Sequence, residues 1–165
     1  MPLDPAITDL AQLRDRPEVA RLHAALPEVV RAARLDRGEL TLWLDPASLR
    51  EACSLLQSDP ELRYDFLSDL TCVDWHPQEP RFEVVYHLLS LPRRRRVRLK
   101  VRLPGDGASV ESLTSLWPAA SFFEREVFDL FGVRFLGHPD LRRILMPDDW
   151  NGHPLRKDYP VEGYR

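Results

Sequence analysis

The sequence contains 165 residues, of which 44% are hydrophobic and 30% are charged, and its formal net charge is -3. This composition is typical of one soluble globular domain, and the negative charge disfavours general nucleic-acid binding, which is associated with strongly basic domains. No apolar run reaches the roughly 20 residues of a membrane-spanning helix. The first ten residues lack the basic and apolar regions of a signal peptide.

The only two cysteines of the sequence are Cys53 and Cys72. Two thiols are too few for an iron–sulfur cluster that needs four thiolates. We expect both to be buried or half-buried free thiols in a reducing compartment, without a disulfide.

The first 60 residues predict two helices and a hairpin. Residues 5–26 carry leucines at near-helical spacing, with a break around Pro17. A turn signal, Asp-Arg-Gly, at 36–38 separates two candidate strands, of which the first could equally be a helix. These two segments are 28–35 and 39–44. A further helix is predicted over 45–58, with an aspartate cap followed by proline at the first helical position.

Three consecutive strands are predicted next, over 66–75, 81–91 and 95–103. The last alternates Val97, Leu99, Val101 and Leu103 with Arg96, Arg98, Lys100 and Arg102, which is typical of a half-buried antiparallel strand. We interpret its basic face as a solvated surface that is partly paired with Glu83. Docking to an acidic protein partner is the alternative. Nucleic acid is disfavoured because no aromatic residues separate the basic positions. A short helix is predicted over 109–116.

Residues 121–132, SFFEREVFDLFG, predict a helix with explicit ends. Ser121 and Glu124 have the spacing of a capping box, and Gly132 stands where a left-handed residue ends a helix. Arg125 and Asp129 are spaced for an ion pair on the face opposite the apolar side chains. The members of the apolar face are Phe123, Val127, Leu130 and Phe131.

Three side chains of this helix do not fit a simple surface helix. Glu126 flanks the apolar face, which predicts a buried salt bridge to an arginine of the following loop, with a catalytic acid or base as the alternative. Phe122 and Phe128 lie on the polar side, so we expect the tail or a partner to cover them.

Residues 133–165 have no helical or strand period, yet they retain apolar side chains that a disordered tail would lack. We therefore expect this segment to be ordered by its contacts with other surfaces rather than by secondary structure of its own. Its histidines and aspartates do not match the spacing of usual zinc sites, it offers no serine or cysteine nucleophile, and the chain has no glycine-rich nucleotide motif. Alternating basic and acidic side chains favour a recognition segment with fixed register. These are Arg142, Arg143, Arg156 and Lys157 with Asp140, Asp148, Asp149 and Asp158.

Together these elements predict an α+β fold. We expect a mixed, mostly antiparallel sheet of about five strands with helices packed on one face. This domain would occupy residues 1–132, and an extended, irregular, partner-binding C-terminal tail would occupy residues 133–165.

The segment EREVFDLFGVRFLGHPDLRRILMPDDWNGHPLRKDYP, residues 124–160, resembles the signature of the C subunit of NADH–quinone oxidoreductase, the 30-kilodalton subunit family of respiratory complex I. The resemblance is dense over residues 117–159 and extends to the predicted strands at 66–75 and 81–91. The first 27 residues match only weakly.

The resemblance implies a non-catalytic structural or assembly subunit in the hydrophilic arm of a proton-translocating complex, on the cytoplasmic side of the bacterial membrane. It implies that FMN and iron–sulfur clusters belong to other subunits and that this chain holds no cofactor. It further implies packing against the D subunit, which carries the quinone site and is called the quinone-site subunit below, with the B and I subunits as further neighbours. The residues expected to serve partner binding or local structure are Glu124, Arg125, Glu126, Asp129, Gly132, His138, Arg142, Arg143, His153, Arg156, Lys157, Asp158 and Tyr159.

Two other functions are compatible with parts of the sequence. The same signature would suit the homologous subunit of a ferredoxin–plastoquinone (photosynthetic) complex or of a membrane-bound hydrogenase. A free-standing enzyme that uses Glu126 with His138 or His153 would instead show activity as a purified chain.

Overall fold

The computed structural model describes residues 5–163. Residues 1–4, which belong to the segment expected to lack a signal peptide, lie outside this range. The last two residues of the predicted tail, 164 and 165, also lie outside it. The helices are α1 (Pro17–Ala25), α2 (Leu49–Ser58) and α3 (Ala120–Phe131). The strands are β1 (Val30–Asp36), β2 (Glu39–Leu44), β3 (Phe66–Asp74), β4 (Phe82–Ser90), β5 (Arg95–Leu103), β6 (Ser109–Glu111) and β7 (Arg134–Leu136).

Five strands form one mixed sheet in the order β1-β2-β5-β4-β3. All neighbours are antiparallel except β2 and β5, which run parallel. The short strands β6 and β7 form a separate parallel pair. The predicted α+β class and five-stranded sheet are confirmed.

One face of the sheet is buried under the helices, and the other is polar. Alternate residues of β2 and β5, such as Leu42 and Leu99, join side chains of all three helices in one hydrophobic core. Cys53 and Cys72 are buried free thiols, as predicted. No helix within residues 5–163 is long and apolar enough to span a membrane.

The basic face of β5 is paired largely as interpreted from the sequence. Glu83 on β4 accepts hydrogen bonds from Lys100 Nζ at 2.7 Å and from Arg102 Nε at 2.9 Å. Arg98 Nη2 donates to Glu39 at 2.8 Å. These pairs cross neighbouring strands, where opposite charges stabilise the sheet.

The prediction of a helix over 5–26 is only partly correct. Ile7 pairs with Leu35 through two backbone hydrogen bonds of 2.9 and 2.8 Å, so this part adds to the edge of the sheet. A short 3₁₀ turn follows, and α1 begins at Pro17. Proline at the first helical position is favourable because its missing N–H is not needed there. The ambiguous segment before the turn at 36–38 is a strand. The helix predicted from 45 opens with a 3₁₀ turn, and α2 itself begins at Leu49.

The helix predicted over 109–116 is wrong. Its first residues form β6, in which Val110 is registered with Phe135 of β7. A three-residue strand is too short to show a period of two, and the buried side chain of Val110 suits a strand better than a helix. The short strand β7 was missed for the same reason.

The capping box predicted at the start of α3 is also wrong. Ala119 is the N-cap and no side chain caps this helix. The carboxylate of Glu124 instead accepts from Ser112 Oγ at 2.6 Å and from the Leu113 N–H at 2.7 Å, and it is fully buried. Burial raises the pKa of Glu124 to about 7, because desolvation outweighs these two hydrogen bonds.

Candidate partner-binding surface

Asp129 on α3 organises the middle of the tail. Its carboxylate is fully buried and accepts from the N–H groups of Ile144, Leu145 and Met146 at 3.0, 2.8 and 2.8 Å. Arg143 Nη1 donates to the same carboxylate at 2.6 Å. Desolvation alone would raise the pKa of Asp129, but these donors outweigh it and hold the pKa below its ordinary value.

Arg143 extends this network into the next part of the tail. Its Nη2 donates to the carbonyls of Trp150 and Gly152, each at 3.0 Å. The guanidinium therefore connects α3 with two separate points of an irregular segment. The ion pair predicted between Arg125 and Asp129 is absent, because Arg143 occupies the carboxylate.

Arg125 has a different role from the predicted one. Its Nε and Nη2 donate to the carbonyls of Arg142 and Arg143 at 3.1 and 2.9 Å. It therefore holds the tail backbone rather than a side chain of its own helix. Nε2 of the nearby His138 lies 3.1 Å from the carbonyl oxygen of Ser121.

The C-terminal end of α3 is completed by the tail. The last carbonyls of a helix lack partners within the helix and favour positive charge. Here the carbonyl of Asp129 accepts from His153 Nδ1 at 2.8 Å, that of Leu130 from the Leu155 N–H at 3.1 Å, and that of Phe131 from Arg156 Nε at 2.6 Å.

Two properties of this end are fixed by the same contacts. Because a carbonyl can only accept, Nδ1 of His153 carries the proton. Burial lowers the pKa of His153, the hydrogen bond to the Asp129 carbonyl opposes this shift, and the neighbouring Arg156 and Arg143 add to it, so the neutral ring is favoured. Gly132 has the predicted left-handed conformation, with φ of 78°, and a Cβ there would collide with Arg156 and His153.

A second network anchors the end of the tail and was not predicted. Arg81 forms a bidentate pair with Asp74 at 2.8 and 2.7 Å, and a second bidentate pair with Asp158 at 2.9 and 2.7 Å. The Lys157 N–H donates to Asp74 at 2.8 Å. The two carboxylates raise the pKa of Arg81, which in turn lowers the pKa of Asp158.

The sequence did carry a signal for this second network. Leu70, Cys72 and Asp74 share the inward side of β3, so Asp74 places a carboxylate at the edge of the core. A buried carboxylate needs a partner, and Arg81 directly precedes β4, the next strand of the same hairpin.

The remaining predicted residues lie at the margins of these networks. Glu126 is exposed and forms no ion pair with any residue in 5–163, so the predicted buried salt bridge is wrong; the buried carboxylates of α3 are Glu124 and Asp129. Arg142 pairs with Asp140 at 2.8 Å on the surface. Tyr159 Oη donates to the Asn151 carbonyl at 3.3 Å.

Beyond Phe135, most of the large apolar side chains of the tail are exposed, while the polar groups that anchor it point inward. Leu145 is 60% exposed and Leu155 50%, although their backbone N–H groups are bound to α3. On α3, Phe128 packs edge-on against His153, whereas Phe122 remains 63% exposed. Other exposed apolar residues of this segment are Leu136, Ile144, Trp150 and Val161.

This arrangement is suited to presenting a rigid apolar surface. The anchoring contacts fix the course of the tail backbone in advance, so a partner that binds the outer side chains does not have to order it. In residues 5–163, no three His, Cys, Asp or Glu side chains are grouped in a way that could hold a metal ion.

Comparison with known proteins assigns the chain to a family. A family model described as the 30 kDa subunit of respiratory-chain NADH dehydrogenase matches residues 42–165. The chain belongs to this family. The match includes the whole tail, both anchoring networks, the strands β3, β4 and β5, and the end of β2.

Individual relatives agree with this assignment. The chain is 53% identical over 148 residues to the C subunit of NADH-quinone oxidoreductase from Roseiflexus castenholzii, covering 89% of this chain and 85% of the relative. It is 48% identical over 151 residues to the protein of the same name from Geobacter metallireducens, covering 88% and 92%. The chain is therefore similar to these two relatives over most of their length.

Two solved structures share the fold. A trypsin-resistant fragment of Nqo5 has a TM-score of 0.62 and 32% identity, covering 73% of this chain and 99% of the fragment. A chain of the membrane-bound sulfane sulfur reductase, an archaeal respiratory membrane complex, has a TM-score of 0.73 and 27% identity, covering 87% and 84%. Membership of a multisubunit respiratory complex follows from the family.

Proposed function

We propose that the chain is a non-catalytic subunit of the hydrophilic arm of complex I, whose tail binds the quinone-site subunit. One observation carries this proposal: the tail directs its anchoring charged groups inward to α3 and β3, while several of its large apolar side chains, including Leu145 and Leu155, are exposed. Apolar side chains presented on a fixed backbone are typical of a surface that a protein partner covers.

The proposed role of the chain within the complex is structural. NADH oxidation and electron transfer through FMN and iron–sulfur clusters would take place in other subunits, and this chain would hold none of these groups. The chain would lie on the cytoplasmic side of the membrane and reach it only through its partners. The B and I subunits are expected as further neighbours.

The likeness to the sulfane sulfur reductase favours a second candidate. The same fold at a TM-score of 0.73 serves a complex with a different named activity, so a homologous subunit of a ferredoxin-dependent complex or hydrogenase is the alternative. Relatives at 53 and 48% identity that are named as NADH-quinone oxidoreductase subunits favour complex I. Measuring whether the native complex oxidises NADH or reduced ferredoxin separates the two.

The partner-binding role is tested by replacing the outward side chains. Leu145→Ser combined with Leu155→Ser removes two exposed leucines without touching an anchoring side chain. We expect an unchanged melting temperature for the isolated chain and a loss of most of the assembled complex from membranes. The matched control is Leu91→Ser, because Leu91 is 59% exposed in the β4–β5 turn, away from the tail. Normal assembly of the double variant would refute the proposal.

A further inference from the structure

A cleft at the end of the sheet farthest from the tail anchors gathers unpaired positive charge. It lies between the start of α1, the β1–β2 turn and the β4–β5 turn, and its volume is about 620 Å³. We call it the arginine cleft. Its arginines are Arg16, Arg37, Arg94, Arg95 and Arg96.

Five of the arginines that lack a side-chain partner within residues 5–163 line this one cleft, while three others, Arg14, Arg63 and Arg134, are scattered outside it. Within residues 5–163, none of the five forms an ion pair or a side-chain hydrogen bond, whereas Arg81, Arg98 and Arg143 are all paired. The cleft contains two carboxylates, and both already have partners. Glu39 accepts from Arg98 and Glu18 from Tyr64 Oη at 2.7 Å. The arginine cleft is thus a positive region in a chain whose net charge is -3.

The buried wall of the cleft has unsatisfied hydrogen-bonding groups. Four buried side-chain polar atoms in residues 5–163 lack a partner, and three of them belong to residues that line this cleft: Arg16 Nε, Glu18 Oε2 and Ser90 Oγ. Ser90 is fully buried and Glu18 is 2% exposed. Buried polar groups are normally paired, so three unpartnered ones in a single wall offer hydrogen-bonding capacity to a ligand of this cleft.

The start of α1 adds to the same site. Arg16 is the N-cap and makes no side-chain cap, so no side chain satisfies the first-turn N–H groups. A helix N-terminus favours anions through these N–H groups and the helix dipole. The N-terminus of α1, the unpaired arginines and the buried Ser90 hydroxyl therefore all offer hydrogen-bond donors to an anion in the arginine cleft.

We infer that the arginine cleft binds a phosphate-bearing anion. Guanidinium groups and hydroxyls donate to phosphate oxygens. A phosphate group offers three acceptor oxygens to these donors, and where it carries a proton its O–H can donate to the buried Glu18 Oε2. A carboxylate side chain of an acidic peptide offers only two acceptor oxygens to the same guanidinium groups. The cleft volume of about 620 Å³ leaves room for a diphosphate, or for a phosphate attached to a larger soluble molecule or a lipid headgroup.

The direct test is titration of the purified full-length chain with inorganic pyrophosphate by calorimetry at low and at moderate salt. We expect binding that weakens as salt rises. Arg94→Gln combined with Arg95→Gln should weaken binding by about tenfold or more, because a charge-assisted hydrogen bond contributes on that order. Ser90→Ala should also weaken it, with the circular dichroism melt reporting whether each variant folds.

A matched control lies in the same turn. Arg93 Nη2 donates to the Pro60 carbonyl at 2.8 Å, and Arg93 does not line the cleft. Arg93→Gln should therefore leave pyrophosphate affinity unchanged. Equal affinity for the wild type and the double variant, an equal loss in Arg93→Gln, or no binding at low salt would each overturn the assignment.

Two further arms identify the source of the phosphate. Vesicles of phosphatidylcholine with phosphatidylglycerol should sediment the chain if the ligand is a lipid headgroup, and pyrophosphate should compete; pyrophosphate binding without sedimentation indicates a soluble ligand. Either result supports a phosphate site. Tighter binding of a hexaglutamate peptide than of pyrophosphate would overturn it in favour of an acidic protein segment. Because these tests use the isolated chain, their outcome is independent of assembly into a respiratory complex.

Discussion

The guanidinium of Arg143 lies 2.6 Å from the buried carboxylate of Asp129, and it simultaneously holds the carbonyls of Trp150 and Gly152. This one pair connects the last regular helix to the irregular tail. The tail is thereby given a defined backbone course without forming a helix or a long strand of its own.

Asp129→Asn should destabilise the chain by about 3 kcal/mol. The change removes the charge from a carboxylate that accepts three backbone N–H groups and leaves Arg143 without its ionic partner. Urea denaturation measures the loss. The control is Glu126→Gln on the exposed side of the same helix, which should change stability by less than about 0.5 kcal/mol. Equal effects of the two substitutions would show that Asp129 does not anchor the tail.

Gly132→Ala should be more destabilising than Gly38→Ala, although both glycines have positive φ, 78° and 81°. A Cβ at Gly38 meets nothing within 4 Å, so only backbone strain of about 1 kcal/mol is expected. At Gly132 the Cβ also displaces Arg156 and His153, which would cost about 1 kcal/mol or more in lost hydrogen bonds. Thermal melts of both variants provide the comparison, and identical shifts would contradict it.

Glu124→Gln should remove a pH dependence of stability between about pH 4.5 and 7. The folded chain keeps the Glu124 proton up to about pH 7, whereas the unfolded chain releases it near 4.5, so the folded state binds more protons in this window. The contribution of Glu124 therefore falls as pH rises, by about 3 kcal/mol across the window.

The measurement is the difference in unfolding free energy between the wild type and Glu124→Gln at a series of pH values, because the difference cancels other titrating groups. Glu126→Gln again serves as the control for the loss of a carboxylate from the same helix. A Glu124→Gln difference that is constant over the window would mean that Glu124 is ionised in the folded chain.

Asp158→Asn should loosen the end of the tail without unfolding the domain. Asp158 has a side chain that is 45% exposed, so its loss should cost less than about 1 kcal/mol. Amide hydrogen exchange should nevertheless accelerate at Lys157, whose N–H is held by Asp74 next to the same arginine. Asp140→Asn, which removes a surface pair with Arg142, should leave that exchange rate unchanged. Unaltered exchange in Asp158→Asn would exclude Arg81 and Asp158 as an anchor.

The sequence predicted those parts of the fold whose physics is local and repeated. Alternation along β5 identified both faces of a central strand, and the turn at 36–38 located the β1–β2 hairpin. The left-handed conformation of Gly132 was predicted because helices commonly end at a left-handed residue, which is usually glycine. By contrast, β6 and β7 are too short to show a period, and each is stabilised by a strand more than 20 residues away.

Three of the errors at the candidate site share one physical cause. Glu124, Asp129 and Arg125 were paired with neighbours at helical spacing, because local spacing is all that a sequence displays. In the folded chain each finds a partner 11 to 18 residues away, where burial makes an unpaired charge more costly than a surface ion pair is favourable. The same reasoning explains why Arg81, which joins residues 74 and 158, was missed.

The outward face of the tail is proposed as the surface that a partner covers. Amide hydrogen exchange of the full-length chain, alone and bound to the quinone-site subunit of the same complex, tests this most directly. We predict added protection at residues 141–156, with little change along β5. Protection confined to β5 and the β4–β5 turn, with exchange in the tail unaltered, would contradict the proposal.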